Sequence, residues 1–139
     1  MLMKLKTYSD GGARGNPGPG AIGVVICTAG AKEELLFEHQ DVIGDATNNI
    51  AEYCALIAAL ALAKELGASE VESYLDSELV VRQLGGIYKV KTDHIRQLIT
   101  EVRQIEKQFK KVTYHHVPRT HTRLRQADKL VNQALDAAR

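Results

Sequence analysis

Between Asp45 and Lys64 the chain carries a single charge, Glu52, inside a run that is otherwise apolar or small. Read as a helix, Ile50 to Leu66 is apolar nearly all round, so it belongs buried on more than one side. Thr47, Asn48 and Asn49 supply capping side chains ahead of it, and Gly67 supplies a stop. A carboxylate in the first turn of so buried a helix is costly unless a metal, a cation or a proton accompanies it. A first-turn Glu that favours the helix dipole and reaches water is the structural alternative.

The other elements arrange themselves around that helix. Three strand-like runs precede it: Leu2 to Ser9, Ala21 to Thr28 and Glu34 to Ile43. The first stops at Asp10-Gly11-Gly12, which reads as a turn, and Arg14 to Gly20 reads as a loop. Val71 to Leu75 is a short strand, Asp76-Ser77-Glu78 opens a short helix to Leu84, and Gly85-Gly86 ends it. An amphipathic helix follows from about Asp93 to Phe109, then a strand from Lys111 to Val117 and a final helix from about Leu124 to Ala138. The order βββαβααβα predicts an α/β domain spanning residues 1–139. Its five-stranded mixed sheet has three antiparallel strands, then two parallel ones, flanked by helices. Carboxylates at the ends of strands one and four then share one sheet edge, where α/β proteins build their sites.

The net charge of +1 hides an asymmetry. Residues 1–102 hold 9 Lys/Arg against 14 Asp/Glu, whereas residues 103–125 hold 7 against one, with His115, His116 and His121 besides. A basic late segment on an acidic body points to a polyanionic partner, or else to a solvated basic face. The apolar run Tyr53 to Ala63 is far short of the ~20 residues of a membrane span, and the first residues lack a signal-peptide pattern. Cys27 and Cys54 lie in apolar runs and read as buried free thiols. A cytoplasmic chain with no membrane association is expected.

Four carboxylates carry the chemistry. Asp10 and Asp76 project from one sheet edge, and the helices bearing Glu52 and Asp128 pack against it. Each has a structural role of its own: Asp10 as a turn former, Asp76 as a helix cap, Glu52 and Asp128 as complements to a helix dipole. Together they repel one another unless cations sit among them. Hard oxygen ligands without His or Cys select Mg²⁺ or Mn²⁺. Two such ions about 4 Å apart activate a water and steady the leaving oxygen in phosphodiester hydrolysis.

Five segments, in this order, resemble type 1 ribonuclease H: Ser9-Asp10-Gly11-Gly12, Gly15 to Gly20, Thr47 to Glu52, Leu75-Asp76-Ser77 and Gln126 to Leu130. The resemblance covers nearly the whole chain and implies a ribonuclease H-like fold. It implies an endonuclease that hydrolyses the RNA strand of RNA/DNA hybrids, leaving 5′-phosphate and 3′-hydroxyl ends. It also implies two Mg²⁺ ions per site, with Mn²⁺ as a substitute, held by Asp10, Glu52, Asp76 and Asp128, with Asp10 bridging both. Asn16, Asn48 and Asn49 match positions that hold the hybrid across its minor groove, and Thr47 matches one that grips a DNA phosphate. Asn suits minor-groove edges, which carry little sequence information. Gly11 and Gly12 let the backbone approach the RNA 2′-hydroxyls, the groups that distinguish RNA from DNA. The hybrid is the implied partner; no protein partner is required, and a monomer suffices.

The chain departs from many cellular members in two places. They carry a basic, tryptophan-containing protrusion, whereas this chain has no Trp and runs from Gly85-Gly86 through Ile87 to Lys91 into the next helix. That resembles the compact bacterial and archaeal subgroup, and it leaves Lys89, Lys91 and the stretch Lys110 to Arg125 to supply hybrid affinity. In the loop before Asp128, where some members place a mobile His, Arg119 is a candidate for stabilising phosphate charge and His121 for proton transfer. Glu78 is a carboxylate where a neutral polar residue is common. A non-catalytic hybrid-binding module on the same fold is the alternative, disfavoured because it has no use for four carboxylates facing phosphates. An exonuclease of the wider superfamily usually shows Asp-x-Glu on the first strand, and here Gly-Gly follows Asp10. A phosphate-cradling loop would need a Gly-Lys-Ser/Thr ending, which Gly11 to Gly20 lacks.

Overall fold

The central strand carries the first of the four carboxylates. In the computed structural model, which describes residues 3–86, 90 and 92–138, β1 (Lys4–Ala13) lies in the middle of a five-stranded sheet. β2 (Gly18–Thr28) pairs with it antiparallel, and β3 (Leu35–Ala46) pairs antiparallel with β2 at one edge. On the other side β4 (Glu70–Leu75) and β5 (Lys111–His116) continue the sheet in parallel, giving the order β3-β2-β1-β4-β5. This is the mixed sheet that the pattern of runs predicts.

Two helical layers cover the sheet. α1 (Asn48–Glu65) packs on β1 and β2, and α3 (Asp93–Glu106) packs against α1. Leu5, Val24 and Ile26 of the sheet meet Tyr53, Leu56 and Leu60 of α1 and Val102 of α3 in the main core. α1 is therefore enclosed on two sides, as its apolar surface demands. α4 (Thr122–Ala137) covers the opposite face, where Leu124, Ala127 and Leu130 bury Tyr8, Val25 and Cys27. α2 (Glu78–Leu84) is a short connector. Among the described residues no helix is long and apolar enough to cross a membrane. Lys89 and Lys91 lie outside the described residues. Of the two thiols, Cys27 is buried and Cys54 is half-buried.

One element corrects the sequence reading. Asp10-Gly11-Gly12 is not a turn: β1 runs straight through it to Ala13, with Gly11 and Gly12 opposite Ile22 and Ala21. The glycine serves a neighbour. A Cβ at Gly11 would stand 2.0 Å from the Ala51 carbonyl oxygen, so only glycine admits the first turns of α1 against the strand. Gly23, the ladder partner of Asp10, does the same on the other face, where a Cβ would stand 2.1 Å from the Ala127 carbonyl oxygen of α4. β3 also extends three residues beyond its expected end, because its last residues find partners in Gly18 to Gly20 of β2. Leu35, Leu36, Phe37 and Val42 remain exposed along this edge strand.

Candidate active site

The parallel ladder between β1 and β4 ends at the pair Ser9 and Leu75, so Asp10 and Asp76 are the next residues on adjacent strands. Asp10 is buried beneath α1 and α4, and the Asp76 side chain is 13% exposed. Ser77, not Asp76, caps α2: its hydroxyl accepts from the Val80 amide at 3.2 Å, which leaves the Asp76 carboxylate out of the cap.

Glu52 arrives from above. Thr47 caps α1, its Oγ1 accepting from the Ile50 amide at 3.2 Å, and the close seat on Gly11 lets Glu52 lean over the strand. Its Oε1 accepts weakly from the Gly11 amide at 3.4 Å, whereas its Oε2 is buried and has no partner among the described residues. One oxygen each from Asp10, Glu52 and Asp76 lies within 4.8 Å of the others. Asp128 reaches the same cleft from α4 with its carboxylate exposed, and Asn132, one turn on, donates from Nδ2 to the Asp128 carbonyl at 3.0 Å.

Such a cluster is short of positive charge. Burial, then the neighbouring Asp76 charge, pushes the Asp10 carboxyl up to about 7; Glu52 opposes the rise and Asp128 adds to it. Burial also drives Glu52 well above the usual carboxylate range, followed by the charges of Asp10 and Asp76, and the Gly11 amide offsets only part. An orphaned buried oxygen among all-oxygen donors fits a hard divalent cation, which would reverse both rises.

The cleft that contains these groups has a volume of about 630 Å³. Gly11 and Gly12 form part of its wall, and Asn16, Asn48 and Asn49 line it toward α1. The Asn16 side-chain oxygen accepts from the Asn48 amide at 3.0 Å, and that of Asn48 accepts from the Ala13 amide at 2.9 Å. With those oxygens bound, each presents its NH₂ as a donor. Arg119 stands at the rim, with Nε 3.7 Å from the Asp76 carboxylate and 84% of its side chain exposed.

Other candidates fall elsewhere. His121 is not among the residues lining the cleft. It is the N-cap of α4, its Nδ1 accepting from the Arg123 amide at 3.2 Å, and its ring stacks on Tyr8 with centroids 5.2 Å apart. Thr47 is likewise a cap beside the cleft rather than part of its lining. Glu78 pairs with Arg82. Asn132 and Arg14 line the cleft although the sequence reading passed over both. The four-residue spacing from Asp128 would have found Asn132; the Arg14 guanidinium is tied to Asp136 at 2.6 Å, a contact with no local signature.

Residues 8–134 match the family model described as reverse transcriptase-like, and the chain belongs to that family. It is 45% identical over 136 residues to a bifunctional protein of Mycobacterium tuberculosis, a match covering 98% of this chain and 36% of that protein. The chain thus spans little more than a third of the length of this curated relative. The crystal structure of ribonuclease H1 from the halophilic archaeon Halobacterium salinarum superposes with a TM-score of 0.90 at 39% identity, covering 96% of this chain and 98% of that one. LC11-RNase H1, isolated from compost and solved in complex with an RNA/DNA hybrid, superposes with a TM-score of 0.87 at 42% identity, covering 96% and 98%. Within its family the chain is of the type 1 ribonuclease H kind, in the compact bacterial and archaeal form.

Proposed function

We propose that this chain is a metal-dependent endonuclease that hydrolyses the RNA strand of RNA/DNA hybrids, leaving 5′-phosphate and 3′-hydroxyl ends. The observation that carries this reading is the convergence of Asp10, Glu52 and Asp76, with one buried Glu52 oxygen lacking a hydrogen-bond partner among the described residues, in an open cleft. The 42% identical LC11-RNase H1, whose structure contains an RNA/DNA hybrid, supports the substrate.

Asp10, Glu52, Asp76 and Asp128 would hold two divalent ions, magnesium or, as a substitute, manganese. When bound, these supply an activated water and charge neutralisation at the phosphodiester, whose bond to the 3′ oxygen breaks. The residues of the chain position the substrate. NH₂ donors of Asn16 and Asn48, with Asn49 beside them, face the minor groove, where a neutral donor reads geometry more than sequence. Gly11 and Gly12 leave room for the sugar edge bearing the 2′-hydroxyl. Thr47 steadies a phosphate of the DNA strand while capping α1. Arg119, loosely held by Asp76, adds positive charge at the rim. A monomer acting without a protein partner, in the cytoplasm and as one domain over residues 1–139, is part of the same proposal.

Cleavage of end-labelled RNA/DNA, RNA/RNA, DNA/DNA and single-stranded RNA tests the reading, with Mg²⁺, Mn²⁺ or EDTA and with Asp10→Asn as control. Metal-dependent cutting confined to the RNA of the hybrid is expected. A hybrid that binds yet stays intact with every metal would replace this reading with a hybrid-binding module.

A further inference from the structure

The basic segment 103–125 does not form one patch. Arg103 is already engaged, donating to the Leu84 carbonyl and to Glu106. Arg123 does the same toward the Glu33 carbonyl and Gln126. Lys111 opens β5, at the sheet end opposite the carboxylates, ~17 Å along the strand from His116. Lys110, beside it, lies at that far end as well. Arg119 is drawn to Asp76. Lys107 is the C-cap of α3, and what remains near the site is Arg125, joined on α4 by Lys129.

These two cations share a face. Four residues apart, they stand one helical turn from each other, and both are exposed. Among the described residues neither side chain makes an ion pair, although Asp128 stands between them in sequence. Both line a groove of about 410 Å³ with Thr122, Gln126 and Asp128. Asp128 also lines the main cleft, so the groove and the cleft meet at that residue. A cationic groove that meets an acidic cleft suits a polyanion whose reacting phosphate lies among the carboxylates.

We infer that Arg125 and Lys129 form a phosphate rail for the strand being cleaved, outside the cleft and beyond Asp128. The inference rests on the nuclease reading above and extends it. A strand whose scissile phosphate reaches the carboxylates must leave the cleft past one of its walls. On the α4 wall each of these side chains meets a different phosphate of that strand. The contacts are to backbone charge, so they strengthen binding equally for every sequence and weaken with salt.

The test measures binding of a fluorescently tagged RNA/DNA hybrid by anisotropy across a KCl series, in Mg²⁺, on an Asp10→Asn background that prevents cutting. Arg125→Ala with Lys129→Ala should weaken binding by about 5- to 20-fold and make the log Kd against log salt slope shallower by about two, one per lost contact. Arg125→Lys should keep most of the affinity, because a phosphate reads charge. Lys110→Ala with Lys111→Ala, at the far end of the sheet, should change neither quantity. Cleavage of the same hybrid by the unmutated chain runs alongside. If it cuts and the Arg125/Lys129 variant binds with unchanged affinity and slope, the rail alone is overturned. If the unmutated chain neither binds nor cuts the hybrid, the rail falls together with the nuclease reading.

Discussion

Gly23 stands opposite Asp10 in the β1–β2 ladder, and the missing side chain of the one decides how near α4 comes to the other. A methyl at Gly23 would meet the Ala127 carbonyl at 2.1 Å and the Leu130 Cβ at 3.0 Å, so Gly23→Ala must lift the helix that carries Asp128. Overpacking of this kind costs about 1–3 kcal/mol. The expected outcome is a lower unfolding midpoint in urea and a fall in hybrid cleavage of at least tenfold. Gly12→Ala is the contrast for stability, since its Cβ would meet only the Val131 Cγ1 at 3.7 Å, an ordinary contact. Equal destabilisation by the two substitutions would contradict the close-approach account.

Charge at Asp10 trades stability for activity. Its carboxyl is raised to about 7 in the fold, against 3.8 for the unperturbed group, so between those values the folded chain binds more protons than the unfolded one. Stability of the metal-free protein therefore falls as pH rises through this window, by at most about 1.4 kcal/mol per pH unit for one group. The destabilisation is complete above the folded pKa and absent below the unfolded one. Asp10→Asn should flatten this dependence, raise the metal-free melting temperature at pH 8 and nearly abolish cleavage. Added Mg²⁺ should raise the melting temperature of the unmutated chain more than that of the variant. A folded Asp10→Asn protein that cuts at the unmutated rate would sink the assignment.

His121 belongs to the architecture of α4. His121→Ala should cost about 1 kcal/mol through loss of the cap, and His121→Asn should recover most of it. The pH-rate profile of His121→Asn should keep its shape, because the imidazole does not line the cleft. Loss of a basic limb from that profile would restore the residue to proton transfer.

Arg119 is held at the rim by one long ion pair whose guanidinium is exposed, a contact worth little to stability. Arg119→Ala should leave the melting temperature within about a degree, because the pair is long and its cation lies in solvent. It should lower kcat by about tenfold, with Arg119→Lys intermediate, less than the loss of a donor held against the reacting atoms because the guanidinium stands in solvent at the rim. A variant with unchanged kcat would remove Arg119 from the chemistry.

The strands and helices were legible because their apolar periodicities are local, and three of the carboxylates do meet where the edge rule places them. The misread segment was Asp10-Gly11-Gly12. Glycine looks the same in a sequence whether it bends the chain or admits a neighbouring helix, and the Ala51 carbonyl that decides between them lies forty residues away. The capping role of His121 was hidden for a related reason. Reading α4 from Leu124 left the residue in a loop, and its capping role appears only once the helix begins at Thr122. The basic stretch dissolved because β5 runs through its middle and puts Lys111 at the sheet end away from Asp76, while Arg103 and Arg123 are held by the Leu84 and Glu33 carbonyls.

The enclosure of α1 between sheet and α3 also sets how the site comes apart. Glu52 rides on the best-protected helix, whereas Asp76 follows the end of a strand and Asp128 sits on the exposed side of α4. Amides around Glu52 should exchange with deuterium only through global unfolding, and those of α4 through smaller, more frequent openings. The chain can thus lose its fourth carboxylate for an instant while the other elements stay folded. Heat or mild denaturant should then silence it before a probe of the core records any change.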